Sequence, residues 1–348
     1  MRVLFCGLGG IGQRHLRNLR EVLGNELEVH AYRVRRQKIK LLDDLSIAKG
    51  ADLEVDYEII VHDTLESGLA TKPDLVLICN PSNLHIPIAL AAAKAGCNIF
   101  MEKPASNSLE GLSELQSIVS EKKLLCYVGY NLRFHPALQK IKSLIDCKFF
   151  GDITGVQAEV GEYLPGWHKY ENYRDMYAAR SDLGGGVILS QIHEMDLIYW
   201  FFGVPKSILS IGGKLSNLEI DVEDTAYSLM GYEGERGKFP ITLHQDFIQR
   251  PPSRYFKVIG DKGIARADLI ANKLEIFDEN GSCVELNDFP DFKRNEMFLS
   301  QTKHLLDCIQ NGSTPLVDLN EGVQSLVIAL GAKESLVSGR EVQLSKWS

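Results

Sequence analysis

The sequence predicts an α/β protein: a doubly wound parallel sheet at the N-terminus, then an α/β domain with an open, mostly antiparallel sheet. Three observations predict it. Short apolar runs alternate with helical periodicity over the first 125 residues, the pattern of a parallel sheet covered on both faces. A Gly-x-Gly-x-x-Gly turn, Gly7 to Gly12, lies between the first apolar run and the first helix. Beyond residue 207, six short runs follow one another with turn signals between them, as in antiparallel sheets.

In chain order, residues 2–6 read as a buried strand and 11–23 as a helix, with Ile11, Leu16, Leu19 and Leu23 on one face and Gly24-Asn25 as its stop. Residues 27–32 read as a strand, 34–49 as a helix and 74–79 as another buried strand. An alanine-rich helix over 86–95 stops at Gly96, followed by a strand over 98–101, a helix over 109–122 and a strand over 124–128. The alternation divides the chain into a dinucleotide-binding unit, 1–125, and a substrate-binding and oligomerisation unit, 126–348. The second unit opens with a helix over 136–147 and a strand over 153–163, then a loop rich in aromatics and charge. One helix is expected over about 187–202, since Ile188, Ile192, Met195 and Tyr199 recur at helical spacing. Strands follow over 207–213, 225–232, 239–247, 254–260, 264–268 and 273–278, then helices over 292–311 and 320–337 and a short final strand.

A chain of 348 residues has room for two hydrophobic cores. Its net charge of −8 argues against a nucleic-acid-binding body but not against an anionic small ligand, which local arginines would hold. The seven cysteines are scattered, odd in number and without a Cys-x-x-Cys pair, so neither a metal site nor a disulfide framework is expected, and a reducing cytoplasm fits. The first apolar run is too short for an export signal, and no stretch approaches the roughly 18–20 apolar residues that span a bilayer, so a soluble protein with no membrane partner is expected.

Four features carry chemistry. In the glycine turn, Gly7 permits the tight bend, Gly9 lets backbone approach a pyrophosphate, the Gly10 and Ile11 amides open the helix towards that anion, and Gly12 lets helix and strand pack closely. Where an NAD site usually places an acid for the ribose 2′-hydroxyl, this chain has Tyr32 and Arg33, then Arg35 and Arg36. Arg33 can pair with a 2′-phosphate, which favours NADP over NAD; the other reading is that these arginines cover an exposed helix start. Glu102-Lys103-Pro104 follows a strand directly, at the carboxyl end where parallel sheets bind ligands, and a lysine there can exchange a proton with a hydroxyl or carbonyl. The loop 163–182 collects Trp167, Arg174, Arg180 and several tyrosines; with Asn131 and Arg133 it can form a wall for a polar, anionic ligand or pack an interface.

Taken together, GLGGIG, CNPSNLHIPIALAAAKAGCNIFMEKP, GYNLRFHP, GGGVILSQIHEMDLIYWFFG and SLVIALGAKESLVSGREVQL resemble the glucose–fructose oxidoreductase and inositol dehydrogenase (Gfo/Idh/MocA) family over nearly the whole chain. The resemblance implies a Rossmann domain, a second domain on an open sheet through which dimers or tetramers form, and hydride transfer between a nicotinamide and a secondary alcohol or ketone of a sugar, nucleotide sugar or cyclitol. By matching motifs it implies that Lys103 and His193 are catalytic, that Glu102 meets the nicotinamide-side ribose, and that Asn80, Pro81, Asn83 and His85 line the cofactor. The glycines before His193 are read as allowing close approach of a ligand. The chain departs from the pattern at Ser190, where many relatives carry an Asp; a serine cannot stabilise an imidazolium as a carboxylate does, and Lys103 is then the firmer proton-transfer group. Substrate contacts are expected from Asn131, Arg133, Trp167, Arg180, Ser190 and His193. Two rival readings stay open: a cofactor-binding sensor, and an isomerase or lyase that recycles a bound nicotinamide.

Overall fold

The first apolar run becomes β1 (Arg2–Cys6), in which Val3, Leu4, Phe5 and Cys6 are fully buried. The computed structural model describes residues 1–34, 38–168 and 170–346. A strand buried on both faces belongs inside a parallel sheet. After β1 come α1 (Gly10–Leu23), β2 (Glu28–Tyr32), α2 (Leu53–Asp56), β3 (Ile60–His62), α3 (Leu65–Leu69), β4 (Leu75–Ile78), α4 (His85–Lys94), β5 (Asn98–Met101), α5 (Leu112–Lys122) and β6 (Cys126–Val128). The six strands are parallel in the order β3-β2-β1-β4-β5-β6, so the connections reverse direction between β1 and β4. That reversal opens a crevice at the carboxyl ends of the strands.

The rest of the chain forms α6 (Pro136–Asp146), β7 (Ile153–Gly161), α7 (Val187–Ser190), α8 (His193–Phe202), β8 (Ser207–Gly213), β9 (Thr225–Gly234), β10 (Gly237–Asp246), β11 (Ser253–Gly260), β12 (Gly263–Asp268), β13 (Lys273–Asp278), β14 (Cys283–Asp288), α9 (Arg294–Asn311), α10 (Leu319–Ser338) and β15 (Val342–Gln343). Nine strands pair in the order β14-β13-β12-β11-β7-β10-β9-β8-β15, antiparallel except for β7 with β10. Alternation sorts their side chains. Val156, Ala158, Ile241, Leu243, Phe256 and Val258 enter the core beneath the helices, while Ile211, Tyr227 and Leu229 stand exposed on the open face. The last helices join the two sheets: Leu305 and Leu306 of α9 cluster with Val3 and Phe5 of β1 and Leu16 of α1, and Leu326, Ile328 and Ala329 of α10 lie in the larger core.

Two expectations fail locally. Residues 35–37 lie outside the described residues, and 38–52 form no helix. Gln13 supplies the backbone bonds a helix would have made: its amide donates to the Ile39 carbonyl at 2.9 Å and its oxygen accepts from the Leu41 N–H at 2.7 Å. Asp44 accepts from the Ser46 N–H, which turns the chain back so that Leu41 bridges Ile47. The helix expected over 187–202 is broken at Gln191 and Ile192, with α7 on one side and α8 on the other. The break is stabilised by buried amides: Gln245 Nε2 donates to the Gln191 carbonyl at 2.8 Å, and Gln191 Nε2 to the Asp246 carbonyl at 2.9 Å.

Arg133, 1% exposed, clamps three elements. Its Nη2 and Nε meet both carboxylate oxygens of Asp196 on α8, at 2.8 and 3.0 Å, and its Nη1 meets Glu321 on α10 at 3.0 Å. This fork holds the guanidinium firmly charged. Arg133→Met leaves Asp196 buried without its counter-charge and should cost about 3–5 kcal/mol in urea unfolding; a loss near zero would contradict the clamp. His135 caps α6, its Nδ1 accepting from the Ala137 N–H at 3.2 Å while its ring lies edge-on to Phe292. Burial lowers His135 from 6.5 to about 4, and Arg254 adds to the effect. The stability this neutral ring contributes is therefore complete above pH ~6.5 and declines as pH falls towards ~4, by about 3 kcal/mol in total. In His135→Asn, which keeps an acceptor at the cap, the stability gap to wild type should narrow from neutral pH to pH ~4. A gap that does not vary with pH would show that His135 does not titrate in this way.

Candidate active site

The glycine turn closes the crevice on the β1 side. Gly7 has φ +93°, in the left-handed region that suits glycine, and a β-carbon there would stand 2.9 Å from the Cys79 carbonyl. A side chain on Gly12 would strike the Gly7 carbonyl, whereas one on Gly9 would meet nothing within 4 Å. Gly9 is the N-cap of α1 and no side chain caps that turn. The open space at Gly9 fits a pyrophosphate at the helix start, with the Ile11 amide in that first turn and the Gly10 amide beside the Tyr170 hydroxyl. Tyr170, from the aromatic loop, brings its hydroxyl over Gly10. At the end of β2, Arg33 is buried and its Nη1 lies 2.6 Å from Glu54 Oε1 on α2, so it meets a carboxylate. Arg35 and Arg36 lie outside the described residues.

The turns after β4 and β5 form the crevice floor. Asn80 and Asn83 each bury a side-chain oxygen that has no hydrogen-bond partner among the described residues, and Pro81 precedes a single 3₁₀ turn. Asn83 Nδ2 donates to the Asp182 carbonyl at 2.9 Å and Ser82 Oγ to that of Gly184 at 3.2 Å, tying this turn to the second unit. His85 does not line the crevice as a cofactor contact. It is 1% exposed, and its two ring nitrogens lie 2.8 Å from the carbonyls of Pro104 and Asn80, which ties the two turns together. Glu102 is buried against His15 of α1, Oε1 to Nε2 at 2.7 Å, and its Oε2 accepts from the Lys103 N–H.

Lys103 reaches across to the second unit. Its Nζ donates to the Ser190 carbonyl at 2.9 Å, at the last residue of α7, where the helix breaks. The break also places His193 at the start of α8 and not in mid-helix. Its ring stands edge-on to Tyr130, with centroids 5.8 Å apart, and its Nδ1 is buried without a partner among the described residues. Burial, followed by the charges of Lys103, Arg254 and Arg294, holds His193 well below the usual histidine range, so the ring is neutral. An imidazolium at this position would face three cations with no carboxylate from residue 190. Ser190 Oγ and Tyr130 Oη are likewise buried without partners among the described residues. Unpaired buried polar atoms gathered at one crevice are what a ligand-binding site presents.

The remaining sequence candidates differ in their surroundings. Arg133 is sealed by Asp196 and Glu321 and meets no ligand space, because burying its charge required those carboxylates. Arg180 is half-exposed and forms a two-pronged pair with its neighbour Asp182, at 2.9 and 2.6 Å. Trp167 packs edge-on against Phe247 with its Nε1 buried and unpartnered among the described residues, and Asn131 is buried in the turn after β6. The glycines before α7 let other parts of the protein approach closely: a side chain on Gly185 would strike the Tyr177 carbonyl, and one on Gly186 the Glu223 carboxylate. Sequence reasoning missed Arg254 at the start of β11 and Arg294 at the start of α9, since neither lies in a motif. Arg254 Nε pairs with Glu194 Oε1, beside His193, at 2.6 Å. Among the described residues no group of His, Cys, Asp and Glu is arranged to hold a metal ion, and no helix is long and apolar enough to cross a membrane.

A family model described as an oxidoreductase family with an NAD-binding Rossmann fold matches residues 1–130, and the GFO/IDH/MocA C-terminal domain model matches residues 138–266. The chain is 26% identical to scyllo-inositol 2-dehydrogenase (NAD(+)) of Bacillus subtilis over 99% of this chain and 96% of that one. It is 25% identical to myo-inositol 2-dehydrogenase of Thermotoga maritima over 99% of each. In fold it is similar to a levoglucosan dehydrogenase solved with NADH and levoglucosan (TM-score 0.82, 16% identity, 99% of each chain). It is similar also to the WlbA dehydrogenase of Bordetella pertussis solved with NADH and UDP-GlcNAcA (TM-score 0.77, 20% identity, 99% and 98%). The matched domains, the strand order and the glycine turn agree: this chain belongs to the Gfo/Idh/MocA family of NAD(P)-dependent dehydrogenases.

Proposed function

We propose that the chain interconverts a secondary alcohol and a ketone on a sugar, nucleotide sugar or cyclitol, with Lys103 as the proton-transfer residue. The observation that carries this reading is the Lys103 ammonium, fixed at 2.9 Å by the Ser190 carbonyl, beside a neutral His193 at the carboxyl ends of the parallel strands. Gly7, Gly9, Gly10, Ile11 and Gly12 receive the pyrophosphate of NAD(P), Asn80, Pro81 and Asn83 border it, and Glu102, held by His15, meets the nicotinamide-side ribose. The bound nicotinamide supplies the hydride acceptor or donor. Lys103 donates a proton to the carbonyl oxygen as the ketone is reduced and takes it back in the reverse direction. The neutral ring of His193, Ser190 Oγ and Trp167 Nε1 are free to hydrogen-bond the neighbouring hydroxyls of the substrate. The named relatives, which act on inositols, and a neighbour solved with a nucleotide sugar, support this substrate range.

The Arg33–Glu54 pair shifts the cofactor balance towards NAD, because a 2′-phosphate would have to displace a carboxylate 2.6 Å from the guanidinium. The exposed apolar side chains Ile211, Tyr227 and Leu229 on the open sheet face support a homodimer or homotetramer formed through that face. The seven free cysteines suit a reducing cytoplasm.

Nicotinamide absorbance against a panel of polyols, sugars and nucleotide sugars, with each cofactor, tests the reaction. In Lys103→Ala, turnover should fall about a hundred-fold or more while cofactor affinity changes little; near-normal turnover would sink the assignment. Because His193 is held neutral, the acid limb of kcat/KM should lie below pH ~6.5. A limb at or above that value that disappears in His193→Gln would mean that the ring titrates as an ordinary histidine.

A further inference from the structure

Glu102, the acid after β5, is buried, and a buried carboxylate is costly unless donors surround it. Its Oε1 accepts from His15 Nε2 at 2.7 Å and its Oε2 from the Lys103 N–H at 3.2 Å. The turn after β6 closes a third side. A β-carbon on Gly129 would stand 3.2 Å from Oε1 and 3.4 Å from the Glu102 Cα, so a side chain there would press on the carboxylate. His15 is buried too, its ring edge-on to Phe100 of β5 and to Phe298 of α9, with centroids 4.9 and 6.0 Å apart. A carboxylate only accepts, so Nε2 is the donor of the pair. Two of the roughly four lone-pair sites of Glu102 are thereby used, and the rest suit the O–H groups of a vicinal diol. His15 lies one turn beyond Ile11 on α1, about 6 Å along the axis at 1.5 Å per residue. One helix thus carries both the amide end that suits a pyrophosphate and the imidazole that fixes the acid after β5.

We propose that His15 is a positioning residue for the cofactor: its Nε2–H holds the Glu102 carboxylate in the orientation that accepts the hydroxyls of the nicotinamide-side ribose, and so ties the ribose end of the site to its phosphate end. The proposal rests on the reading of Glu102 given above. Without that donor Glu102 loses the partner that sets its rotamer, and ribose recognition weakens while the glycine turn stays intact.

The test is calorimetric binding of ADP-ribose and of ADP to the full-length protein. The two ligands share adenosine and a pyrophosphate and differ by that ribose. Wild type should bind ADP-ribose more tightly than ADP. In His15→Leu, and in His15→Asn, whose amide ends at the Nδ1 position, the preference should shrink about ten-fold while ADP affinity stays within about two-fold. His15→Gln, which can place a donor where Nε2 stands, should keep most of the preference. Thermal midpoints check that the variants fold, and the Asn variant decides the matter if the Leu variant does not. An equal loss of both ligands would show that His15 only supports α1, and overturns the positioning role. So does an undiminished preference in the Leu and Asn variants, or a Gln variant no better than they are. Glu102→Gln separates the two readings. If it loses the preference while the His15 variants keep it, His15 falls and Glu102 stands. If wild type shows no preference, or Glu102→Gln leaves it unmoved, the ribose reading of Glu102 falls and the role of His15 with it.

Discussion

The bond from Lys103 Nζ to the Ser190 carbonyl is where the two units of the chain become one site. It requires two things that neither unit supplies alone. The turn after β5 must present the lysine at the carboxyl edge of the parallel sheet, and the helix across the crevice must break so that a main-chain carbonyl faces it. The first follows from the strand order, which puts β5 beside β4. The second follows from the buried amides of Gln191 and Gln245, which take up main-chain groups at the break. The ties from Ser82 and Asn83 to the carbonyls of Gly184 and Asp182 hold the facing turns in register.

Electrostatics then divides the arginines by burial. Arg133 enters the core with two carboxylates around it, because a buried guanidinium without them would be unstable, and it becomes a structural clamp. Arg254 stays partly exposed on the helix-covered face and pairs with Glu194 beside His193. His193 lies at the boundary, kept neutral by burial and by the cations ahead of it.

Much of the fold was legible because its signals are local. Four-residue runs such as Leu75–Ile78 and Asn98–Met101 have few alternatives to a buried strand, and the spacing of the glycine turn is a pattern of six consecutive residues. The failures lie where distant side chains override local preference. Gln13 satisfies the backbone of 38–52 in place of a helix, and Gln245, more than fifty positions from Ser190, stabilises the break in the helix expected to carry His193. Lys103 and His193 were singled out through their motifs, whereas the pairing of Arg133 with Asp196 and of Arg180 with Asp182 was not legible, since nothing in a sequence says which acid an arginine will meet.

By itself the sequence determined the class of both sheets, the glycine turn, the lysine after β5 and the family, because each is written in residues close together along the chain. Only the tertiary structure decided that His85 and Arg133 are sealed struts, that Arg33 faces Glu54, and that Arg254 pairs with Glu194 next to His193. Those outcomes depend on charge and burial across separations of tens to hundreds of residues, and such distances exist only once the two sheets have packed.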